Sequence, residues 1–408
     1  MKSKILILFP YPFTEFNYYK FEISKIKQKY KNQVVIHDLS QVVISKKFNK
    51  EWKTKIEKKT KKFYSLYTWI KNFLSKKNEK FIIINFIKTI NLNSFLINIF
   101  VKLSKNTVLV YHPVDLFSSI KPYKKSLNFF LSRVMQHKFN LKVYIFSIQK
   151  IIFNFLLRIT KGGKKIILSN NFDRLVLDNI EDVNKDQIIN INFNSYDYSN
   201  CLTYKIKKKL KKKYILYIDN GAPYFAGDAY LKGEPSYLGD IKKQYNDLNN
   251  FFDKIEKIFS AKIIVIPHPK YKSYSSKIKS LNPYFKHRVV NNNYDALAQL
   301  SKNCLFFINK HSTAISYPIF FKKPVIHIYS TQYNYQREEW QSLFDLAKSI
   351  GRKPIDIMNF KKKEILSSLK INKKKYEEFK YNYLTPKKKN LDDTPNYKIL
   401  NNLFKMHE

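Results

Sequence analysis

Glycine is scarce in this chain, with seven in 408 residues. Neither GxGxxG nor GxxxxGK(S/T) is present, so the two familiar glycine-rich phosphate loops are excluded. Cysteine is scarcer still. Cys201 and Cys304 lie far apart with no CxxC or Cys/His spacing, which supports neither a disulfide framework nor a zinc site and fits a reducing, cytosolic location. Arginine occurs only at Arg133, Arg158, Arg174, Arg288, Arg337 and Arg352. Sequence-specific base reading leans on arginine's planar fork, so this scarcity argues against a nucleic-acid reader. No apolar run reaches the roughly 18–20 residues of a membrane span. Residues 81–103 come closest, but Lys88 and several asparagines interrupt them. The opening MKSKILILFPYPF imitates a signal peptide, yet the run is short and broken by Pro10 and Pro12, so it reads as a first β-strand.

What is abundant is lysine. Lys+Arg total 76 against 31 Asp+Glu, a formal net charge of +45. Lysine, asparagine and isoleucine together are what an AT-rich genome writes into any protein. Whatever its origin, that charge draws the chain to anionic partners: lipid headgroups, nucleic acid or phosphorylated metabolites. A hydrophobic content of 44% is ample for real cores, and the length suggests two domains.

Short apolar runs alternate with helical patterns. Strands are expected at 5–9, 34–40, 81–86, 107–114 and 165–170, with amphipathic stretches at 15–30, 50–76 and 125–160 between them. Such alternation indicates a parallel α/β sheet covered on both faces. A lysine run, YKIKKKLKKKY (204–214), marks the boundary. The alternation then restarts, with strands at 214–219, 262–268, 287–291, 304–309 and 324–330 and helices at 240–259, 294–302 and 312–322. The expected division is one Rossmann-like domain over 1–205, a second over 206–375, and a helical tail over 376–408 packing back on the first domain. Ligands of doubly wound sheets bind outside the carboxyl ends of the strands, so those ends carry the search for a site.

Three ends stand out. Asp219 closes a strand before Gly221, and four of the seven glycines (Gly221, Gly227, Gly233, Gly239) fall in the loop region that follows. His268 stands between Pro267 and Pro269, which remove two backbone donors and fix φ on either side of it. An imidazole so held can donate to a phosphate oxygen or protonate a leaving group. Ser312 and Thr313 fall between a strand and a helix, where hydroxyls cap a first turn and free N–H groups suit a phosphate. Pro318 lies deep enough to make that helix kinked or short. His311 is adjacent, and His327, inside a strand, reads as structural.

In this order the motifs resemble those of bacterial GT-B glycosyltransferases of capsule and lipopolysaccharide, sialyltransferases and Kdo transferases among them, with their acidic-Gly, HP and paired Ser/Thr motifs. The resemblance covers residues 214–330. It implies two Rossmann-like domains facing a central cleft, the first binding the acceptor and the second the nucleotide-sugar donor, and transfer of a 2-keto sugar acid from a CMP donor to a glycan hydroxyl with inversion. It further implies that His268, Ser312 and Thr313 hold the donor phosphate, with Gly221, Pro269, Lys270 and His311 around the donor. Asp219 is the candidate base, but the chain has Asn220 where several of those enzymes have a second acid, so Glu15 and Asp115 on the acceptor side stay in play. No metal is expected, since CMP carries one phosphate and no DxD closes a strand.

Two alternatives remain open: a CDP-polyol or UDP-hexose transferase on the same fold, and a non-enzymatic nucleic-acid binder. The expected partners are a CMP-sugar, a glycan or lipid-linked acceptor, and the anionic inner-membrane surface, with the protein cytoplasmic and peripheral. The stretch 143–159 could insert into that surface, but a helix buried in its domain is the favoured reading.

Overall fold

The structure is a computed structural model and describes residues 3–44, 60–111, 141–169, 188–191, 213–219, 241–268, 282–291, 296–310, 312–331, 337–385 and 395–407. Thirteen strands in these segments form two sheets. The first holds β1 (Lys4–Phe9), β2 (Val34–Asp38), β3 (Thr60–Lys62), β4 (Phe81–Asn85), β5 (Thr107–Tyr111), β6 (Lys165–Ser169) and β7 (Ile188–Asn190), in the order β3-β2-β1-β4-β5-β6-β7. The second holds β8 (Tyr214–Ile218), β9 (Lys262–Ile266), β10 (Val289–Val290), β11 (Phe307–Asn309), β12 (Val325–Tyr329) and β13 (Ile355–Asp356), in the order β10-β9-β8-β11-β12-β13. Every pairing is parallel. Numbered within itself, each sheet begins 3-2-1-4-5-6, the doubly wound order.

The central strands are apolar on both faces because both faces are covered. In β1, Ile5, Ile7 and Phe9 pack with Ile23 and Ile26, while Leu6 and Leu8 pack with Trp69 and Phe73. In β8, Ile215 and Tyr217 meet Phe251, Phe252 and Ile255 of the helix Ile241–Phe259. Leu216 and Ile218 turn to the other side, with Leu346, Tyr376 and Phe379.

Some expected elements divide. The stretch 15–30 is two helices, Glu15–Lys20 and Ile23–Tyr30, separated where Glu22 takes a left-handed φ of 54°. Within 50–76, the described part is β3 followed by a helix Leu66–Leu74, whose first turn Ser65 caps. The region 376–408 splits as well. Tyr376, Phe379 and Leu384 complete the second core, whereas the helix Asn396–His407 lies on the helix Ile23–Tyr30 of the first. There Glu22 Oε2 accepts from the Tyr397 N–H at 2.7 Å, and the rings of Tyr30 and Phe404 meet edge to face at 5.3 Å.

The helix Leu141–Ile159 departs from the favoured reading, because its described side chains are not buried in the domain. Phe153 stacks on Phe95 at 4.5 Å, and Lys102 Nζ donates to the Leu157 carbonyl. Its end is fixed by Gly162 and Gly163. A Cβ on Gly162 would stand 2.4 Å from the Lys102 carbonyl oxygen, and the Gly163 N–H donates to that same carbonyl at 3.0 Å.

Candidate functional site

The second sheet ends in a polar row. Asp219 follows β8, His268 follows β9, Asn291 follows β10, Ser330 follows β12, and Asn309 and Asp356 are the last residues of β11 and β13. Three of these ends lie side by side, because β8 pairs with β9 on one flank and β11 on the other. Ile218 is in register with Ile266 and with Asn309. Neighbouring strands stand about 4.8 Å apart, so the exits of β9 and β11 are separated by about 10 Å, with that of β8 between them. The gap between β8 and β11 is also where the winding of the sheet reverses, the point at which such sheets take ligands.

Each exit has a local cause. The Asp219 N–H donates to the Ile266 carbonyl at 2.9 Å, carrying the β8–β9 ladder one residue past the strand. On the other flank the Asn291 N–H donates to the Val265 carbonyl at 2.9 Å, and Pro267, whose nitrogen follows on that β10 side, has no N–H to extend the pairing, so the chain leaves the sheet and His268 emerges half-buried. Asp219 itself is 3% exposed, with the Tyr217 hydroxyl 3.5 Å from its Oδ1. At the third exit, Asn309 is fully buried and its Oδ1 accepts from the Ser312 N–H at 3.1 Å. This bond folds the chain back over the end of β11. Ser312 Oγ then accepts from the Ala314 N–H at 3.3 Å and caps a 3-10 turn, Thr313–Ile315. A cap of this kind occupies a lone pair and leaves the hydroxyl proton available to an anion. The helix beyond it is short, Ser316–Phe320, with Pro318 inside its first turn, where a missing N–H costs no helical bond. Asn309 is the residue that sequence reasoning missed. Its only signal was an asparagine closing an apolar strand three residues before a hydroxyl.

The other expected residues separate from this edge. Glu15 is exposed at the first position of its helix, beyond the carboxyl end of β1 in the first sheet. The loop that leads to it is tied down by Asp38, whose carboxylate accepts from the N–H groups of Phe13 at 3.1 Å and Ser40 at 3.0 Å. Asp115, Gly221, Pro269, Lys270 and His311 lie outside the described residues, as do the other loop glycines. His327 is buried within β12, in register with Asn309.

One further cluster, Asp253, Glu256 and His287, brings three possible ligand atoms within 4.8 Å of one another. Its chemistry is that of an ion pair. Arg288, fully buried, donates to Asn249 Oδ1, Asp253 Oδ1 and Glu256 Oε2 and lies 5.2 Å from the Phe252 ring centre. Burial opposes ionisation of Asp253, but Arg288 and then Lys286 outweigh it and hold that carboxyl below its ordinary range. Glu256 Oε1 also accepts from the Ile263 N–H near the start of β9, so the cluster sits at the amino end of the sheet, away from the polar row.

No protein-family model matches the chain, and no curated protein matches it either. Solved structures do. A variant of the wall teichoic acid polymerase TagF is similar with a TM-score of 0.50 at 11% identity, over 100% of this chain and 89% of that one. The fold is GT-B. The UDP-GlcNAc 2-epimerase from Methanocaldococcus jannaschii covers 99% of both chains at 13% identity, with a TM-score of 0.49. S. aureus MnaA, in a co-structure with UDP, covers 81% of this chain and 80% of its own at 12% identity, with a TM-score of 0.45. Identities this low tie the chains by architecture alone. In a GT-B protein the polar row belongs to the second Rossmann-like domain and Glu15 to the first.

Proposed function

We propose that this GT-B protein transfers a sugar unit from a nucleotide-activated donor to a hydroxyl of a bacterial surface glycan. The observation that carries the reading is the strand order β9-β8-β11, which sets an imidazole and two hydroxyls along one stretch of sheet edge. In the finer reading the donor is a CMP-activated 2-keto sugar acid, supported by the order of the acidic, His-Pro and Ser/Thr strand ends. The acceptor oxygen attacks the anomeric carbon from the face opposite the phosphate. The bond from that carbon to the phosphate oxygen breaks, and CMP departs with the electron pair. His268, Ser312 and Thr313 donate hydrogen bonds to the phosphate as its charge grows. The acceptor proton passes to a carboxylate. The acceptor enters from solvent against the first domain, so the role of base is assigned to exposed Glu15, with Asp219, buried at the β8 exit, as a positioning residue beneath the donor. The leaving group carries one phosphate and is served by these donors without a divalent ion, so chelation is expected to leave turnover unchanged.

A second reading, transfer from a CDP-polyol, uses the same edge and the same nucleoside. The likeness in fold to a teichoic acid polymerase recommends it.

Calorimetry with CMP, CDP and UMP, paired with product assays on CMP-sugar and CDP-polyol donors, tests both. Saturation by CMP with turnover of a CMP-sugar is the expected result. His268→Ala should lower turnover by about 10²–10³, the usual cost of one oxyanion donor. Glu15→Gln should cut the rate by about 10²–10⁴ while CMP affinity stays unchanged. Undiminished turnover in His268→Ala would remove the central role. Tight, salt-sensitive DNA binding with no affinity for CMP would replace the enzyme with a nucleic-acid binder.

A further inference from the structure

Over its described side chains, from Ile148 to Ile159, the helix Leu141–Ile159 carries an exposed apolar side. Ile148, Ile151, Ile152, Phe155, Leu156 and Ile159 are between 37% and 67% exposed. Most fall at the i, i+3, i+4, i+7 spacing that makes a single stripe. Phe153 and Leu157 lie on the opposite side of the helix, where Phe95 and Lys102 receive them. The domain thus holds this helix by one face and leaves the other to something else.

Charge selects the occupant. From residue 116 through residue 172 the chain contains no Asp or Glu. Arg158, Lys161 and Lys164 are exposed at the end of the stripe. A second copy of the chain would bring the same basic rim, and another net +45, against this one. An anionic lipid surface offers apolar depth beneath and negative headgroups around, which is the match for a stripe with a basic border. No helix among the described residues is long and apolar enough to cross a membrane, so this one would lie along the surface.

We infer that the exposed face of the helix Leu141–Ile159 docks on anionic bilayers, with the stripe in the acyl boundary and the basic residues at the headgroups. The inference goes beyond the transfer reading and does not depend on it, because vesicle binding needs no donor. Flotation of the full chain tests it, with vesicles of phosphatidylcholine alone or mixed with phosphatidylglycerol. The protein is expected to float with the anionic vesicles, to stay behind with the neutral ones, and to be released progressively by salt. The double variant Ile151→Glu, Phe155→Glu removes the stripe at two exposed positions and should lower the bound fraction at least tenfold. Its circular dichroism and melting should match the parent. A second readout is Phe155→Trp, whose emission should shift to the blue on anionic vesicles and be quenched by brominated acyl chains. Unchanged emission, or a double variant that floats like the parent, would overturn the inference. So would a dimer by light scattering that the double variant converts to a monomer, since the stripe would then be a self-association face.

Discussion

His37 shows what a single enclosed side chain does to the whole stability curve. Its Nδ1 accepts from the Trp69 indole N–H at 3.2 Å, and the Phe63 ring stands edge-on at 4.8 Å. Burial first, then the charges of Lys76 and Lys61, push its pKa down from 6.5 to about 3. Between those two values the unfolded chain binds one more proton than the folded one. The contribution is therefore complete above pH 6.5 and is lost as pH falls toward 3, at up to about 1.4 kcal/mol per pH unit. His37→Gln can retain an acceptor for Trp69 and cannot titrate, so its urea midpoint should fall less than the parent's between pH 7 and pH 5. Equal falls would assign the acid sensitivity elsewhere. At this scale the sequence was legible where covalent chemistry announces itself, as with Pro267 beside His268. It was not legible for Asn309, whose task is a bond to a backbone group three residues on that exists only once the chain turns. Asp38 was silent for the same reason, since its partner at Phe13 is 25 residues away.

Among the elements, long apolar strands and amphipathic helices declared themselves, and most short edge strands did not. β3 is Thr-Lys-Lys, with nothing apolar to set a period of two, and it is held by register with Ile36, His37 and Asp38. β13 is two residues, too short for any periodicity to register, whereas β10, equally short, falls inside the strand expected at 287–291. The helix Asn396–His407 is a different case, because its helical pattern was readable and its exact span was not. Phe404 is 1% exposed and packs with Leu403 and Ile399 in the core under β1. Phe404→Ala should destabilise the protein by about 3–5 kcal/mol, the usual cost of emptying a buried phenyl site. Chemical denaturation measures it, and a loss below 1 kcal/mol would mean that the helix is a loose appendage.

At the scale of the molecule, +45 in one chain is a self-repulsion that folding compresses. Added sodium chloride screens it, the Debye length falling from about 10 Å at 0.1 M to about 3 Å at 1 M. The melting temperature should therefore rise between low and high salt, and a flat or falling trend would show the charge to be locally compensated. The two-lobed architecture was visible in the sequence because strand–helix alternation stops at a lysine run and begins again. The strand order was not, since every apolar strand offers the same pairing surface and only the completed winding chooses its neighbours.

The returning C-terminal helix has a consequence for truncation. The polypeptide passes from the first lobe to the second between β7 and β8, and comes home between Leu384 and Asn396. The chain therefore crosses between the lobes twice, and a truncation before Asn396 would strip Ile399, Leu400, Leu403 and Phe404 from the first core while leaving the second intact.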